Sequence, residues 1–332
     1  EYDANLKTLM EQTKNDLSVA VEDINTKLDQ LSELNSSIAH EIFSNNDYDG
    51  VNYGPNDLLD QRNVILDDLS RYGDVQVTDL EDGKIQVKIN GKVVVDASGA
   101  SYTNDKLNIG SDGVTLTWNS NNQNANLGAG AIRGFTDMLT GADPINAGIP
   151  YYQNKMDNFA QTLADVFNNK IHADDPDFPD KYKFLLQGGV DGKVTAGNIS
   201  ISDQWADDVS YIIRKQNPDG ELDNQDILDM KAAFEQDFNF GGEYTGTFSE
   251  FITSVTNTLG SGIKTNSARM SASLAIAESA DSERMGVSGV SLNEEGISMM
   301  TYNKAYQALG RLMTTMDEQL DMIINKMGIV GR

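Results

Sequence analysis

MMTYNKAYQALGRLMTTMDEQLDMIINKMGIV, residues 299 to 330, carries an apolar seam in which successive positions are three or four residues apart. This spacing is the heptad pattern of helices that pack along a partner helix. An unbroken seam of this length favours an assembly helix, with packing into a local core or pairing with the N-terminal helix as the alternative. The predicted assembly interface consists of Met299, Tyr302, Tyr306, Leu309, Met313, Met316, Leu320, Ile323, Met327 and Val330.

A second long helix is predicted near the start of the chain, over residues 4–43. Its apolar residues also follow helical spacing, and Lys14 and Asn35 occupy gaps in the pattern. A helix with such a stripe must bury it against a partner. The stripe consists of Met10, Leu17, Val21, Ile24, Leu28, Leu31, Ile38 and Ile42.

Turn-forming residues at 44–54 end this helix. Pro55 follows, and either Asn56 or Asp57 is a suitable N-cap for a further helix. That helix is predicted to continue to Tyr72.

A β-rich unit is predicted at residues 73–127, where the apolar period changes from helical spacing to two. Alternating residues at 85–89 lead into Asn90-Gly91, which is a strong signal for a β-hairpin. A further strand is predicted at 114–118.

The rest of the chain alternates between helical and mixed segments. Residues 128–172 predict two helices separated by a turn, and the acidic segment 173–245 predicts a strand at 198–202 and a helix near 226–238. Helical character returns over 246–284 and precedes the C-terminal seam.

These elements predict an α+β multidomain protein, in which long terminal helices form a helical rod or coiled coil with inserted β-rich outer domains. The predicted domains are a discontinuous helical rod (1–72, 128–172 and 246–292), a β-rich outer insert (73–127), a mixed α/β outer insert (173–245) and a C-terminal heptad assembly helix (293–332).

Composition excludes several classes of protein. The 332 residues have a formal net charge of −26, which is unsuited to binding nucleic-acid phosphates. No apolar run is long enough to insert into a membrane. There is no cysteine, which excludes disulfides and thiolate metal sites. The acidity is uneven, because residues 246–332 hold seven basic and nine acidic side chains out of totals of 25 and 51.

Two motifs resemble metal sites but lack a ligand. His40-Glu41 begins like a zinc-protease helix, yet position 44 is serine where the second histidine is needed, so His40 is interpreted as an ordinary helix residue. Residues 45–50 begin like a calcium loop, but Asn56 occupies the position of the bidentate glutamate, which favours a polar turn. Acidic clusters at 174–180 and 219–226 are expected in so acidic a chain. No metal and no cofactor are predicted.

Signatures of catalysis are also incomplete. None of the three Gly-Lys pairs has the preceding glycine of a phosphate loop, and Gly286 to Val290 lacks the final glycine of a nucleophile elbow. His172 is predicted at a helix end, and a role as a base would need a partner. A glycosidase-type pair of carboxylates remains open. No catalytic residue is predicted, and the chain is expected not to be an enzyme.

The C-terminal segment Ser288–Arg332 resembles the terminal signature of bacterial flagellar axial proteins. Within that group, the segment Pro55-Asn56-Asp57-Leu58-Leu59-Asp60-Gln61-Arg62 is similar to a characteristic segment of the hook-associated protein 1 family, whose members form the junction between hook and filament. A strand at 198–202 followed by Asp203-Gln204-Trp205 is a weaker likeness.

This resemblance implies a secreted, extracellular subunit of the bacterial flagellum. In that family, subunits form a helical layer between the hook protein and hook-associated protein 3, and the C-terminal helix contacts an export chaperone before secretion. Family members carry a long N-terminal region whose first helix pairs with the C-terminal one. Because the sequence starts inside the helical segment that precedes Pro55, it is interpreted as lacking that region through truncation or processing.

The first functional hypothesis is therefore a structural subunit that joins hook to filament by helical self-assembly through its terminal helices. An alternative is a secreted acidic binding module or adhesin displayed on a helical stalk. A third hypothesis is a glycan-directed or calcium-dependent enzyme within residues 73–245.

Overall fold

The computed structural model describes residues 1–45, 55–97, 103–171, 184–189, 192–208 and 224–326. Its helices are α1 (Tyr2–Asn45), α2 (Asn56–Ser70), α3 (Gly130–Thr140), α4 (Ile149–Asn168), α5 (Asp203–Asp207), α6 (Gln225–Ala233), α7 (Phe248–Ser288) and α8 (Leu292–Asp321). Its strands are β1 (Val75–Asp79), β2 (Ile85–Ile89), β3 (Lys92–Asp96), β4 (Thr103–Asn104), β5 (Leu107–Ile109), β6 (Leu116–Trp118), β7 (Leu186–Gln187), β8 (Ser200–Ile201), β9 (Phe238–Phe240) and β10 (Tyr244–Gly246). The predicted α+β class is confirmed.

The apolar stripe of α1 forms one side of the largest core. Leu17, Ile24, Leu28 and Leu31 are at most 1% exposed and pack in a cluster that also contains buried residues of β2, β3, β5, β6 and α3. The partners that α1 required are therefore two antiparallel sheets and the short helices α2 and α3, rather than another long helix.

The first sheet is antiparallel, in the order β1-β2-β3-β4. The predicted hairpin is confirmed, because β2 and β3 are joined by Asn90 and Gly91 with φ of 50° and 80°. Positive φ at both central residues is the requirement of a type I′ turn, which asparagine and glycine meet at low cost. The alternating side chains Ile85, Val87 and Ile89 are buried.

Three asparagine side chains form hydrogen bonds to strand backbone groups of the kind that a neighbouring strand would form. Each asparagine amide donates to the carbonyl of one strand residue and accepts from the N–H of the same residue, at 2.8 to 3.1 Å. A buried backbone polar group needs such a partner. The pairs are Asn25 with Leu107, Asn35 with Ile85, and Asn168 with Leu186.

A second core joins α4 to the β9–β10 hairpin and the start of α7. Phe240 and Phe251 are at most 1% exposed, and their ring centroids are 4.3 Å apart in a stacked pair. Phe159 of α4 contacts both rings. Lys155, which is also buried, pairs with Glu243 in the hairpin turn. Aromatic stacking and this ion pair hold the hairpin on α4.

The helix after Pro55 differs from the prediction at its start. Its N-cap is Pro55, and Asn56 is its first helical residue, so neither Asn56 nor Asp57 caps it through a side chain. Proline has a φ that is compatible with the start of a helix. Asparagine and aspartate occur both at the N-cap and within the first helical turn, so the sequence alone does not distinguish these two positions.

The chain divides into two compact units, Glu1–Thr256 and Asn257–Arg332. The strands predicted as the outer insert 73–127 share the α1 core in the first unit. The domain boundaries proposed from sequence stay predictions. No helix in the described segments is both long and apolar enough to cross a membrane.

Candidate assembly surface

The C-terminal seam lies on α8 and the π-helical turn Met322–Lys326 that follows it. The helix starts at Leu292, and the hydroxyl oxygen of the preceding Ser291 accepts a hydrogen bond from the backbone N–H of Glu294. This is a serine N-cap that satisfies one of the free N–H groups at a helix start.

Every described residue of the seam is exposed. The eight residues from Met299 to Ile323 have exposed fractions between 52% and 79%, with Tyr302 and Tyr306 the most exposed. Met327 and Val330 lie outside the described residues. A continuous apolar stripe that is exposed in this way indicates a surface that another helix covers. Its role as an assembly interface stays a prediction.

Sequence reasoning missed how much further the exposed apolar surface extends. On α7, Ile263, Met270 and Leu274 are 61%, 73% and 56% exposed. The signal was present in the sequence as apolar residues at helical spacing among many small residues, but that pattern does not by itself separate a buried stripe from an exposed one.

The characteristic segment at 55–62 lies on α2 and positions a buried arginine. Arg62 is 8% exposed, and its Nη1 donates a hydrogen bond to the carbonyl of Gly83 at 2.6 Å. Its Nε has no hydrogen-bond partner in the described part of the chain. Burial lowers the pKa of the Arg62 guanidinium from its usual range, and the nearby Asp79 opposes that shift. The arginine therefore fastens α2 to the turn between β1 and β2.

Polar contacts also connect α1 to α2, to Tyr72 just after α2 and to the segment between β4 and β5. The Tyr72 hydroxyl donates to Asp23 at 2.8 Å, and this bond raises the pKa of Tyr72. Lys27 bridges Asp23 and Asp68. On the other side of α1, Lys106 pairs with Asp29 at 2.7 Å and lowers the pKa of that carboxyl. These contacts therefore hold α2 and the segment between β4 and β5 against α1.

The candidate metal and catalytic residues do not assemble into a site in the described segments. His40 lies exposed on α1, as interpreted from sequence, whereas His172, residues 46–50 and the cluster at 174–180 lie outside the described residues. Of the 219–226 cluster, Asp226 lies buried on α6. Among the described residues no group of three or more histidine, aspartate or glutamate side chains could hold a metal ion.

Two protein-family models match the chain. One, described as the helical domain of flagellar hook-associated protein FlgK, matches residues 1–180, and the other, described as the C-terminal region of flagellar basal body rod FlgEFG proteins, matches residues 282–326. Flagellar hook-associated protein 1 of Bacillus subtilis (strain 168) is 26% identical over 363 residues, which cover 98% of this chain and 68% of that protein. The match to the FlgEFG C-terminal model covers every described residue of the seam, from Met299 to Ile323.

Proposed function

Because the chain belongs to the family of flagellar hook-associated protein FlgK, we propose that it is a non-enzymatic subunit that joins hook to filament by helical self-assembly. Its class is that of a flagellar hook-associated structural protein. The observation that supports the assembly mechanism is the exposed seam of α8, because eight consecutive seam residues have no cover in the free chain.

Identical subunits that contact each other head to tail generate a helical layer, and two different neighbours above and below make that layer an adaptor. The proposed neighbours are the hook protein on one side and hook-associated protein 3 on the other. Before export, the same apolar seam is a suitable surface for a flagellar chaperone, since amphipathic helices bind in apolar grooves. The proposed location is the extracellular part of the flagellum.

The charge distribution supports placing the contacts between copies at the C-terminal end. Residues 246–332 hold nine of the 51 acidic residues and seven of the 25 basic residues, so they are nearly neutral in a chain of net charge −26. Like-charged surfaces repel at close range, whereas a nearly neutral surface can be covered at low electrostatic cost.

The test is electron microscopy of hooks from a strain that lacks its own hook-associated protein 1, incubated with this chain. The seam variant Leu309→Asp with Met313→Asp would place carboxylates in an apolar interface, so we expect at least about tenfold fewer capped hooks. The matched control is Thr315→Asp, which adds the same kind of charge on the opposite face of α8. If the seam variant caps hooks as well as the control does, the seam is not the assembly surface.

A further inference from the structure

Sulfur-containing side chains are concentrated at the C-terminal end of this chain. The chain has 12 methionines and no cysteine, and eight of the methionines lie in the unit that begins at Asn257. Because there is no cysteine, the methionine thioether is the only sulfur group that a peroxide can oxidise. How fast each thioether reacts depends on its exposure to solvent. The exposed methionines are therefore the first sites at which such an oxidant acts.

Two exposed methionines form the middle of the α8 seam. Met313 and Met316 are 71% and 57% exposed, whereas Met230 of α6 in the first unit is 7% exposed. The helical period places both residues on one face of α8, with Leu309 one turn before Met313 and Leu320 one turn after Met316. The two thioethers are thus open to solvent on the same apolar surface that is proposed to be covered in the assembly.

The two threonines between these methionines already use their hydroxyls within the helix. Thr314 donates to the carbonyl of Gly310 at 2.8 Å, and Thr315 donates to the carbonyl of Arg311 at 2.9 Å. A thioether is only a weak acceptor, but its sulfoxide has a polar oxygen. Burying that oxygen in an apolar interface without a hydrogen-bond donor costs free energy. Oxidation of the two methionines therefore opposes any docking that covers the middle of the seam.

We propose that Met313 and Met316 are sites of reversible oxidation by hydrogen peroxide, and that their oxidation prevents α8 from docking in the assembly. In each reaction the thioether sulfur attacks one peroxide oxygen, the O–O bond breaks and an S–O bond forms. The sulfur loses two electrons, and the other oxygen leaves as water after taking the proton of the transferred oxygen. The product is methionine sulfoxide, which sulfoxide reductases convert back to methionine. The inference rests on the proposed function, because it concerns the same seam.

Mass spectrometry tests the modification independently of assembly. The free chain is treated with hydrogen peroxide, the reaction is stopped with catalase at successive times, and the oxygen gained by each methionine is measured. Met313 and Met316 should be oxidised at least about tenfold faster than the buried Met230. Equal rates for the three residues would overturn the inference.

The hook-capping assay tests the effect of oxidation on assembly. Only the chain is oxidised, and the peroxide is removed before hooks are added. The oxidised chain should give at least about tenfold fewer capped hooks than the untreated chain, because its seam then carries polar sulfoxides. Treatment of the oxidised chain with methionine sulfoxide reductases should restore capping.

Two matched double variants show which methionines are responsible. One is Met313→Leu with Met316→Leu, and the other is Met285→Leu with Met300→Leu, which replaces an exposed methionine of α7 and one on the face of α8 opposite the seam. Leucine has a similar volume and is not oxidised, so both variants should cap hooks before treatment. After peroxide treatment, the first variant should still cap hooks and the second should lose capping as the original chain does. Equal protection by the two variants would contradict a role for the seam methionines.

The assays also separate this inference from the proposed function. If the untreated chain caps no hooks, the proposed function fails, and the effect of oxidation on assembly fails with it. If the untreated chain and the oxidised chain cap hooks equally well, the proposed function stands and the inference alone is wrong.

Discussion

At the scale of single residues, Asn35 shows how one side chain completes a sheet. It is fully buried, and its amide pairs with both the N–H and the C=O of Ile85. Asn35→Leu would leave both groups unpaired in the core, where each costs about 1–3 kcal/mol. We expect a loss of about 2–5 kcal/mol in the free energy of unfolding, measured by urea denaturation.

The matched control for this change is Asn15→Leu, which replaces an exposed asparagine on the same helix. That substitution should change the free energy of unfolding by no more than about 0.5 kcal/mol. Equal effects of the two substitutions would show that the bonds to Ile85 contribute no net stability.

The same residue marks where sequence reasoning stops. The apolar periodicity places Asn35 on the stripe of α1 as a polar residue that interrupts it. The pattern says nothing of a partner for Asn35, because a heptad pattern describes only one helix at a time. Its partner Ile85 is 50 residues away in sequence. Arg62 is similar, since the sequence marked its segment but gave no sign of its bond to Gly83.

At the scale of elements, α1 and α8 have similar apolar patterns and opposite environments. The inner face of α1 is buried, whereas α8 has no buried residue. An isolated helix is marginally stable in water, and its amides exchange through local opening. Hydrogen exchange of the free chain should therefore give amides at 299–321 at least about tenfold less protection than those at 17–31.

Assembly on hooks should raise the protection of 299–321 and leave that of 17–31 unchanged, which makes α1 the internal reference. Equal protection of the two helices in the free chain would mean that the seam is already covered, and would contradict an open assembly surface.

Local signals explain which elements the sequence could predict. The hairpin at Asn90-Gly91 and the division of 128–172 into α3 and α4 depend on turn chemistry within a few residues, and both are confirmed. Exposure of the α8 seam could not be predicted in the same way, because a heptad stripe is identical whether a helix of the same chain or of another chain covers it.

At the scale of the whole molecule, the two compact units differ in how they are stabilised. The first holds every buried cluster of the described residues, including the aromatic cluster that Phe248 and Phe251 of α7 complete. From position 257 onward, every residue with a described side chain is exposed. Folding of the first unit should therefore not depend on the residues that carry the assembly seam.

A chain that ends at Thr256 should unfold within about 3 °C of the full chain in calorimetry, since it keeps all of these clusters. A chain that ends at Gly246 is the comparison, because it loses Phe248 and Phe251 and exposes Phe240. Loss of this aromatic packing should lower its midpoint by at least about 8 °C. If the unfolding midpoint of the chain ending at Thr256 falls by as much, residues beyond 256 contribute to the stability of the core. The exposed seam of α8 would then have a role in folding as well as in assembly.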